Sequence, residues 1–341
     1  AATAAASEAP DLTDRVIVKY RNATNASQVD AATLARAQVA GNRSGVRLSH
    51  QRARGDGNHV LRMDKRLTLD QARTLAQAIQ SGDSNVEYAE PDRIMRIQLV
   101  PNDPSYASQW HYYETAGGLT APTAWDKSTG AGITVAVIDT GYRPHADLVA
   151  NIVPGYDFIG DTFVSNDGNG RDADALDPGD AVAANECGGT HAAQSSSWHG
   201  THVAGTIAAV TNNAVGVAGV AYGAKVMPVR VLGKCGGYTS DIADAITWAS
   251  GGTVSGVTAT ATPARVLNLS LGGSGACDTT TQTAINGARS RGTVVVVAAG
   301  NSNADAANYS PASCSGVITV AAVGRTGGRA YYSNYGASVE V

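Results

Sequence analysis

The sequence predicts an α/β protein built on a parallel sheet and preceded by a small α+β domain. Three observations carry that expectation. From residue 133 onward, near-continuous apolar runs alternate with helical stretches, as strands covered on both faces by crossover helices do. A length of 341 residues is too long for one minimal domain and suits a small domain plus a large one. Texture changes at Pro101-Asn102-Asp103-Pro104, with most of the arginines before it and all four cysteines after it. The expected domains are therefore 1–100 and 101–341.

In the first domain, Val16–Tyr20 reads as a strand, Asp30–Ala40 as an Ala-rich helix and His59–Met63 as extended. Thr68-Leu69-Asp70-Gln71 has the form of a capping box, with Thr68 as N-cap and Gln71 at N3. Leu69, Ala72, Leu75, Ala76 and Ile79 then share one helical face. Val86–Ala89 is the next strand, closed by Glu90-Pro91-Asp92, and residues 94–100 extend away from it. This order implies an open-faced sheet backed by two helices, of ferredoxin-like type. In the second domain, Ile133–Ile138 is a strand ending at Asp139, and the small residues from His202 to Val210 form a helix. Val226–Leu232 is a strand, and Ser240–Ser250 a helix capped by Ser240. Strand Val266–Ser270, helix Thr279–Arg291 and strands Thr293–Ala298 and Val317–Val323 follow. Ligands of such sheets bind beyond the C-terminal strand ends, where Asp139, Ser270 and Asn301 lie.

Composition narrows the function. Charged residues make up 16% of the chain, below the roughly 25% of an average soluble protein, and the net charge is −4. No concentrated basic face is available to neutralise phosphates, so no nucleic-acid partner is expected. No run of about 18 apolar residues occurs, so no membrane span is expected. A dinucleotide-binding reading of "STGAGITVAVIDTG" fails because most of its glycines precede the strand, not the helix that follows it. Cys187, Cys235, Cys277 and Cys314 lie far apart with no C-x-x-C pair, which disfavours a zinc knuckle and suits two disulfides in an oxidising compartment.

The chemistry concentrates in "SSSWHGTHVAGTIAA", residues 195–209, with histidines at 199 and 202. A metal pair would need a third ligand and, in H-E-x-x-H, a glutamate between the histidines. Neither is present nearby. A serine hydrolase needs a nucleophile, a base, an orienting carboxylate and oxyanion donors. Asp139 of "VAVIDTGYRPHADL" can orient, His199 can act as base, and Asn301 of "VVVVAAGNSN" can supply a donor.

These three segments resemble the subtilisin-like serine proteases, in that family's order of Asp, His and oxyanion Asn. "HGTHVAGT" is especially particular to the family, and "LNLSLGG" at 267–273 resembles its substrate-binding strand. The resemblance implies a subtilisin-like catalytic domain over 101–341, with His199 the base and His202 packed inside the helix. It also implies that residues 1–100, with "VEYAEPD", are an inhibitory and folding-assisting propeptide, cut between about Ile97 and Asn102. Protein and peptide substrates would lie extended along Ser270, Leu271, Gly272 and Gly273, with Gly236 and Gly237 as the opposite rim. Ala298, Ala299 and Gly300 would leave room for a sizeable apolar side chain.

The family's Gly-Thr-Ser-Met-Ala-type nucleophile string is absent from the 341 residues. In subtilisin, loss of the serine or the histidine lowers kcat by about 2 × 10⁶. These residues alone are therefore expected to be almost inert, with the serine lying beyond Val341. The alternative is an inactive, peptide-binding or inhibitory assembly. The resemblance further implies a secreted, calcium-stabilised protein. Asp103 and Asp147 would hold calcium with Asn213 and the carbonyls of Thr211, Val215 and Val217. The acidic stretch 166–180 offers Asp167, Asp172, Asp174, Asp177 and Asp180 for a second calcium, or is a solvated loop. Three cysteine connectivities remain open. Sequential pairing, Cys187 with Cys235 and Cys277 with Cys314, is expected because each pair flanks loops of the cleft.

Overall fold

The computed structural model describes residues 12–21, 29–54, 56–93 and 100–341. Its chain divides into two compact units, Ala1–Ile97 and Gln98–Val341. The expected extension over 94–99, the first residues of the expected cut and Ala1–Pro10 lie outside the described residues.

The first unit runs β1 (Leu12–Tyr20), α1 (Ala31–Arg43), β2 (Leu48–Ala53), β3 (Asn58–Thr68), α2 (Leu69–Gly82), β4 (Val86–Pro91). Its strands form an antiparallel sheet in the order β2-β3-β1-β4. One strand more than expected is present. Polar Ser49, His50, Gln51 and Arg52 hide β2, because an edge strand needs only occasional inward residues, such as Leu48. Two caps fix the helices. Asp30 accepts from Thr33 N at 2.8 Å at the start of α1. At α2, Thr68 Oγ1 accepts from Gln71 N at 3.2 Å, and Gln71 Oε1 accepts from Thr68 N at 3.0 Å. Ala72, Leu75, Ala76 and Ile79 are all buried, as their spacing requires, with Leu75 packing in one core with Val16, Val18, Leu61 and Met63.

The second unit opens with α3 (Ala121–Trp125), β5 (Thr134–Asp139), β6 (Tyr156–Asp157), α4 (Thr162–Ser165), α5 (His199–Ala208) and β7 (Lys225–Arg230). It continues with α6 (Thr239–Ala249), β8 (Val266–Leu269), β9 (Gly273–Ser274), α7 (Thr279–Ser290), β10 (Val294–Ala298), β11 (Tyr309–Ser310) and β12 (Ile318–Val320). Six strands form a wholly parallel sheet, ordered β12-β10-β8-β5-β7-β6. The near-continuous apolar β5 is explained by burial on both faces. Ala136 and Ile138 join the core formed with α6 and α7, while Val137 packs with Ala204 and Ala208 of α5. Parallel pairing puts the C-terminal ends of β5, β8 and β10 on one edge, which brings Asp139, Ser270 and Asn301 to the same side.

Two local readings need correction. α5 begins at His199, three residues earlier than expected, and α6 begins at Thr239, so Ser240 lies inside it; its N-cap Tyr238 makes no side-chain cap bond.

Replacing Thr68 with Ala removes the Oγ1 half of the capping box, leaves the Thr68 N–H on Gln71 Oε1, and is expected to cost about 1 kcal/mol. Urea unfolding of the variant against wild type measures it, with Thr68→Ser retaining most of the stability.

Candidate active site

β5 delivers Asp139 to the sheet edge with no exposure to solvent. A carboxylate there must be partnered, because desolvating an unpaired charge is costly. His199 Nδ1 lies 2.8 and 2.9 Å from the two Asp139 oxygens, and Thr140 N donates to Oδ1 at 2.8 Å. Nδ1 must carry the proton here, since a carboxylate only accepts. The ring is half-exposed, and no described residue hydrogen-bonds its Nε2. The Asp139 hydrogen bond raises the His199 pKa above its usual value, against the opposing effect of burial, with the Asp139 and Asp180 charges adding to the rise.

His199 stands at the head of α5 because Trp198 takes a left-handed conformation (φ 51°) that turns the chain into the helix. Gly200 follows for a steric reason. A Cβ on it would sit 2.2 Å from the Gly141 carbonyl oxygen, so only glycine lets α5 approach the loop after β5. His202 is exposed, not packed: it lies three residues on from His199 along a helix that packs through Ala204 and Ala208.

One cleft is lined by Thr140, Asp180, Ser197, His199, Gly236 and Ser270, with the Cys187–Cys235 disulfide in its wall. The second bridge is Cys277–Cys314, so both expected pairings are present. The rim residues divide. Gly236 (φ +105°) has open space around it, whereas a Cβ on Gly237 would meet the Val231 carbonyl at 2.1 Å. Beyond Ser270 and the half-buried Leu271, Gly272 packs near the Ser310 carbonyl, and Gly273 pairs with Ser310 in a two-stranded ladder. Ala298 and Gly300 are half-buried, but Ala299 is buried against Ala306 and Ala312, so it cannot line a side-chain pocket.

Asn301 is exposed just past β10. The residue that shapes its loop was not legible in the sequence. Asn334, fully buried, donates from Nδ2 to the Ala299 carbonyl at 2.8 Å. Its Oδ1 accepts from Ser302 N and Ala304 N, at 2.9 and 3.1 Å, and its own N–H donates to the Gly300 carbonyl at 2.8 Å. No local pattern marks it, since its partners lie 30 to 35 residues upstream.

The first candidate cation set comes together. Asp103 and Asp147 are each 3% exposed. Asp103 accepts from Asn212 N and Asn213 N, at 2.9 and 3.3 Å. Asp147 accepts from Asn213 Nδ2 and Val217 N, at 2.8 and 2.9 Å. The carbonyls of Thr211, Val215 and Val217 accept no hydrogen bond from the described residues. Of the second set, Asp167, Asp172, Asp174 and Asp177 line one cavity and Asp180 lines the His199 cleft, while among the described residues no group of three or more His, Cys, Asp or Glu could hold a metal. Asp167 pairs with Arg230 at 2.8 Å. Asp172 takes Asn169 Nδ2 and Asp174 N, while Asp174 takes Leu176 N. Asp177 binds Thr140, and Asp180 binds Ser197. Each carboxylate is committed to its own turn or to a partner outside the set.

Residues 130–341 match the model of the subtilase family. The chain belongs to the subtilase family. It is 54% identical over 333 residues to a protein named "Extracellular protease" from Xanthomonas campestris, covering 96% of this chain and 57% of that one. It is 44% identical over 344 residues to an "Extracellular basic protease" from Dichelobacter nodosus, covering 99% and 57%. A solved protease structure from Pseudoalteromonas arctica shares 71% identity over 71% of each chain, with a TM-score of 0.70. This subtilase chain thus spans 57% of the length of the two curated relatives.

Asp139→Asn is expected to lower the His199 pKa, because it removes the largest cause of the rise. Histidine NMR titration reads it directly. The sign for stability follows: the pair contributes fully below the ordinary imidazole pKa of about 6.5, and this is lost as pH rises through the raised folded value. In the Asn variant that part of the pH dependence of unfolding disappears.

Proposed function

We propose that this subtilase is the precursor of a secreted serine endopeptidase. Asp139 orients His199, which acts as general base toward a serine carried by sequence beyond Val341. One observation carries the reading. His199 Nδ1 is held by both oxygens of a buried Asp139, which leaves Nε2 for a second partner in the cleft shared with Ser270. In this mechanism Nε2 takes the serine proton as Oγ attacks the scissile carbonyl carbon. The imidazolium then returns the proton to the leaving amine as the C–N bond breaks, and water repeats the sequence on the acyl-enzyme. Asp139 stays ionised and stabilises the imidazolium. Asn301 donates its side-chain amide to the oxyanion, where losing one such donor typically costs on the order of 10²–10³ in kcat.

Peptide or protein substrate lies extended along Ser270–Gly273, hydrogen-bonding through its main chain, with Gly236 on the facing rim. The names of the two relatives and the two disulfides support an extracellular location. The first unit is proposed as a ferredoxin-like propeptide that inhibits the second. Its support is a separate core, a β-α-β-β-α-β order and its position ahead of the family match.

Calcium is proposed at Asp103, Asp147, Asn213 and the carbonyls of Thr211, Val215 and Val217. Two buried carboxylates and three carbonyls that accept no hydrogen bond from the described residues are hard oxygen donors of the kind this ion takes, and the Asn213 amide oxygen, which accepts from Val215 N at 2.8 Å, adds a further one. Bound there, the ion would supply charge neutralisation and cross-linking of loops, and no step of peptide hydrolysis.

Treating the full-length protein with a fluorophosphonate probe, followed by mass spectrometry, tests the function. An adduct on a peptide beyond Val341, lost in His199→Ala with kcat down by on the order of 10⁶, is the expected result. No adduct on a folded protein overturns the protease reading and leaves the inactive peptide-binding one. For the ion, calcium at about 100 times its Kd should raise stability by about 2.7 kcal/mol. Calorimetry with and without chelator should show the gain in wild type and its loss in Asp147→Asn.

A further inference from the structure

α5 has a first turn that its own N-cap cannot satisfy. The opening N–H groups of a helix have no intrahelical acceptor, and Trp198 offers no side-chain cap bond. Yet His199 N and Gly200 N are both bonded, each through a hydroxyl that ends on a carboxylate. His199 N donates to Ser197 Oγ at 3.3 Å, and Ser197 Oγ donates to Asp180 Oδ2 at 2.7 Å. Gly200 N donates to Thr140 Oγ1 at 3.0 Å, and Thr140 Oγ1 donates to Asp177 Oδ2 at 2.8 Å. A carboxylate only accepts, so each hydroxyl must point its proton at the acid and its lone pair at the helix. Both relays therefore have a fixed direction.

The two acids belong to one four-residue turn, Asp177-Pro178-Gly179-Asp180. Gly179 takes φ +104° and donates its N–H to Asp177 Oδ1 at 2.8 Å, which closes the turn. Asp180 also accepts Ser197 N at 2.6 Å. Asp177 and Thr140 are each 4% exposed. Thr140 is the junction, because its own N–H donates to Asp139 Oδ1. The residue after Asp139 and the residue after His199 thus meet at one hydroxyl. Two carboxylates beside the helix N-terminus also sit where the macrodipole favours negative charge.

We infer that the 177–180 turn is a positioning clamp that holds Asp139 and His199 in register through Thr140 and Ser197. Asp177 and Asp180 touch no substrate. They act through the two hydroxyls, and the clamp supplies the cap that the α5 sequence lacks.

The test has one arm that rests on the protease reading and one that does not. In the full-length protein, Thr140→Val and Asp177→Ala should each move the His199 NMR titration down toward the ordinary imidazole range, and Thr140→Ser should restore it. With a peptide substrate the same variants should lose about tenfold in kcat with KM within about twofold, the pattern of a misplaced group and not of weakened binding. Ser197→Ala, at an exposed position, tests the second relay without a buried change and should shift the titration in the same direction. A His199 titration unmoved in Ser197→Ala and in every folded Thr140 or Asp177 variant overturns the clamp, as does Thr140→Ser behaving like Thr140→Val. If wild type hydrolyses no peptide, the functional reading fails, while the titration still decides the clamp.

Discussion

A carboxylate sealed from water at the end of a strand is unstable without partners, and Asp139 has two: the His199 ring and the Thr140 amide. Much of the second unit is arranged to keep those partners in place. α5 must come close enough for the imidazole to reach, which requires glycine at 200 against Gly141. The loop after β5 must bend sharply, and Gly141 does so at φ +91°, where a side chain would strike the Ala175 carbonyl and the Arg230 stem.

Arg230 is the cation that partners the buried acids beneath the site. It pairs with Asp139 in the β5–β7 register, is fully buried, and binds Asp157 and Asp167 through Nη1 and the Ser165 carbonyl through Nη2. Its two Nη groups are partnered while Nε has no acceptor, and the cluster fixes the start of the acidic stretch that leads to the 177–180 turn. Among the acids of that stretch, Asp167, Asp172 and Asp174 accept hydrogen bonds from within it, while Asp177 and Asp180 reach Thr140 and Ser197.

Periodicity and local chemistry made much of this legible. The capping box at Thr68, the doubly covered β5 and the strand-end placement of Asp139, Ser270 and Asn301 all follow from patterns within a dozen residues. What escaped depends on distance or on hidden faces. β2 is polar because it is an edge. The exposure of His202 depends on which side of α5 meets the sheet, which composition of a small-residue helix does not reveal. Thr140 reads as an ordinary residue after a strand; its role appears only when residues 177 and 200 arrive beside it. Asn334 is the extreme case, a single side chain that satisfies a loop more than thirty residues earlier in the chain.

That last contact has a consequence for the order in which the molecule can be completed. A chain emerging from the ribosome, at about 5–20 residues per second, exposes Asp139 and His199 well before residue 334. The direct partners of Asp139 are both in the chain once His199 has been made, although β5 itself still awaits β8 and the core of α6 and α7. The backbone around Asn301, by contrast, has four hydrogen-bonding groups of Ala299, Gly300, Ser302 and Ala304 that wait for one asparagine. The loop around Asn301 therefore cannot take its final shape until residue 334 has been made, which ties that side of the site to nearly the whole of the 341 residues.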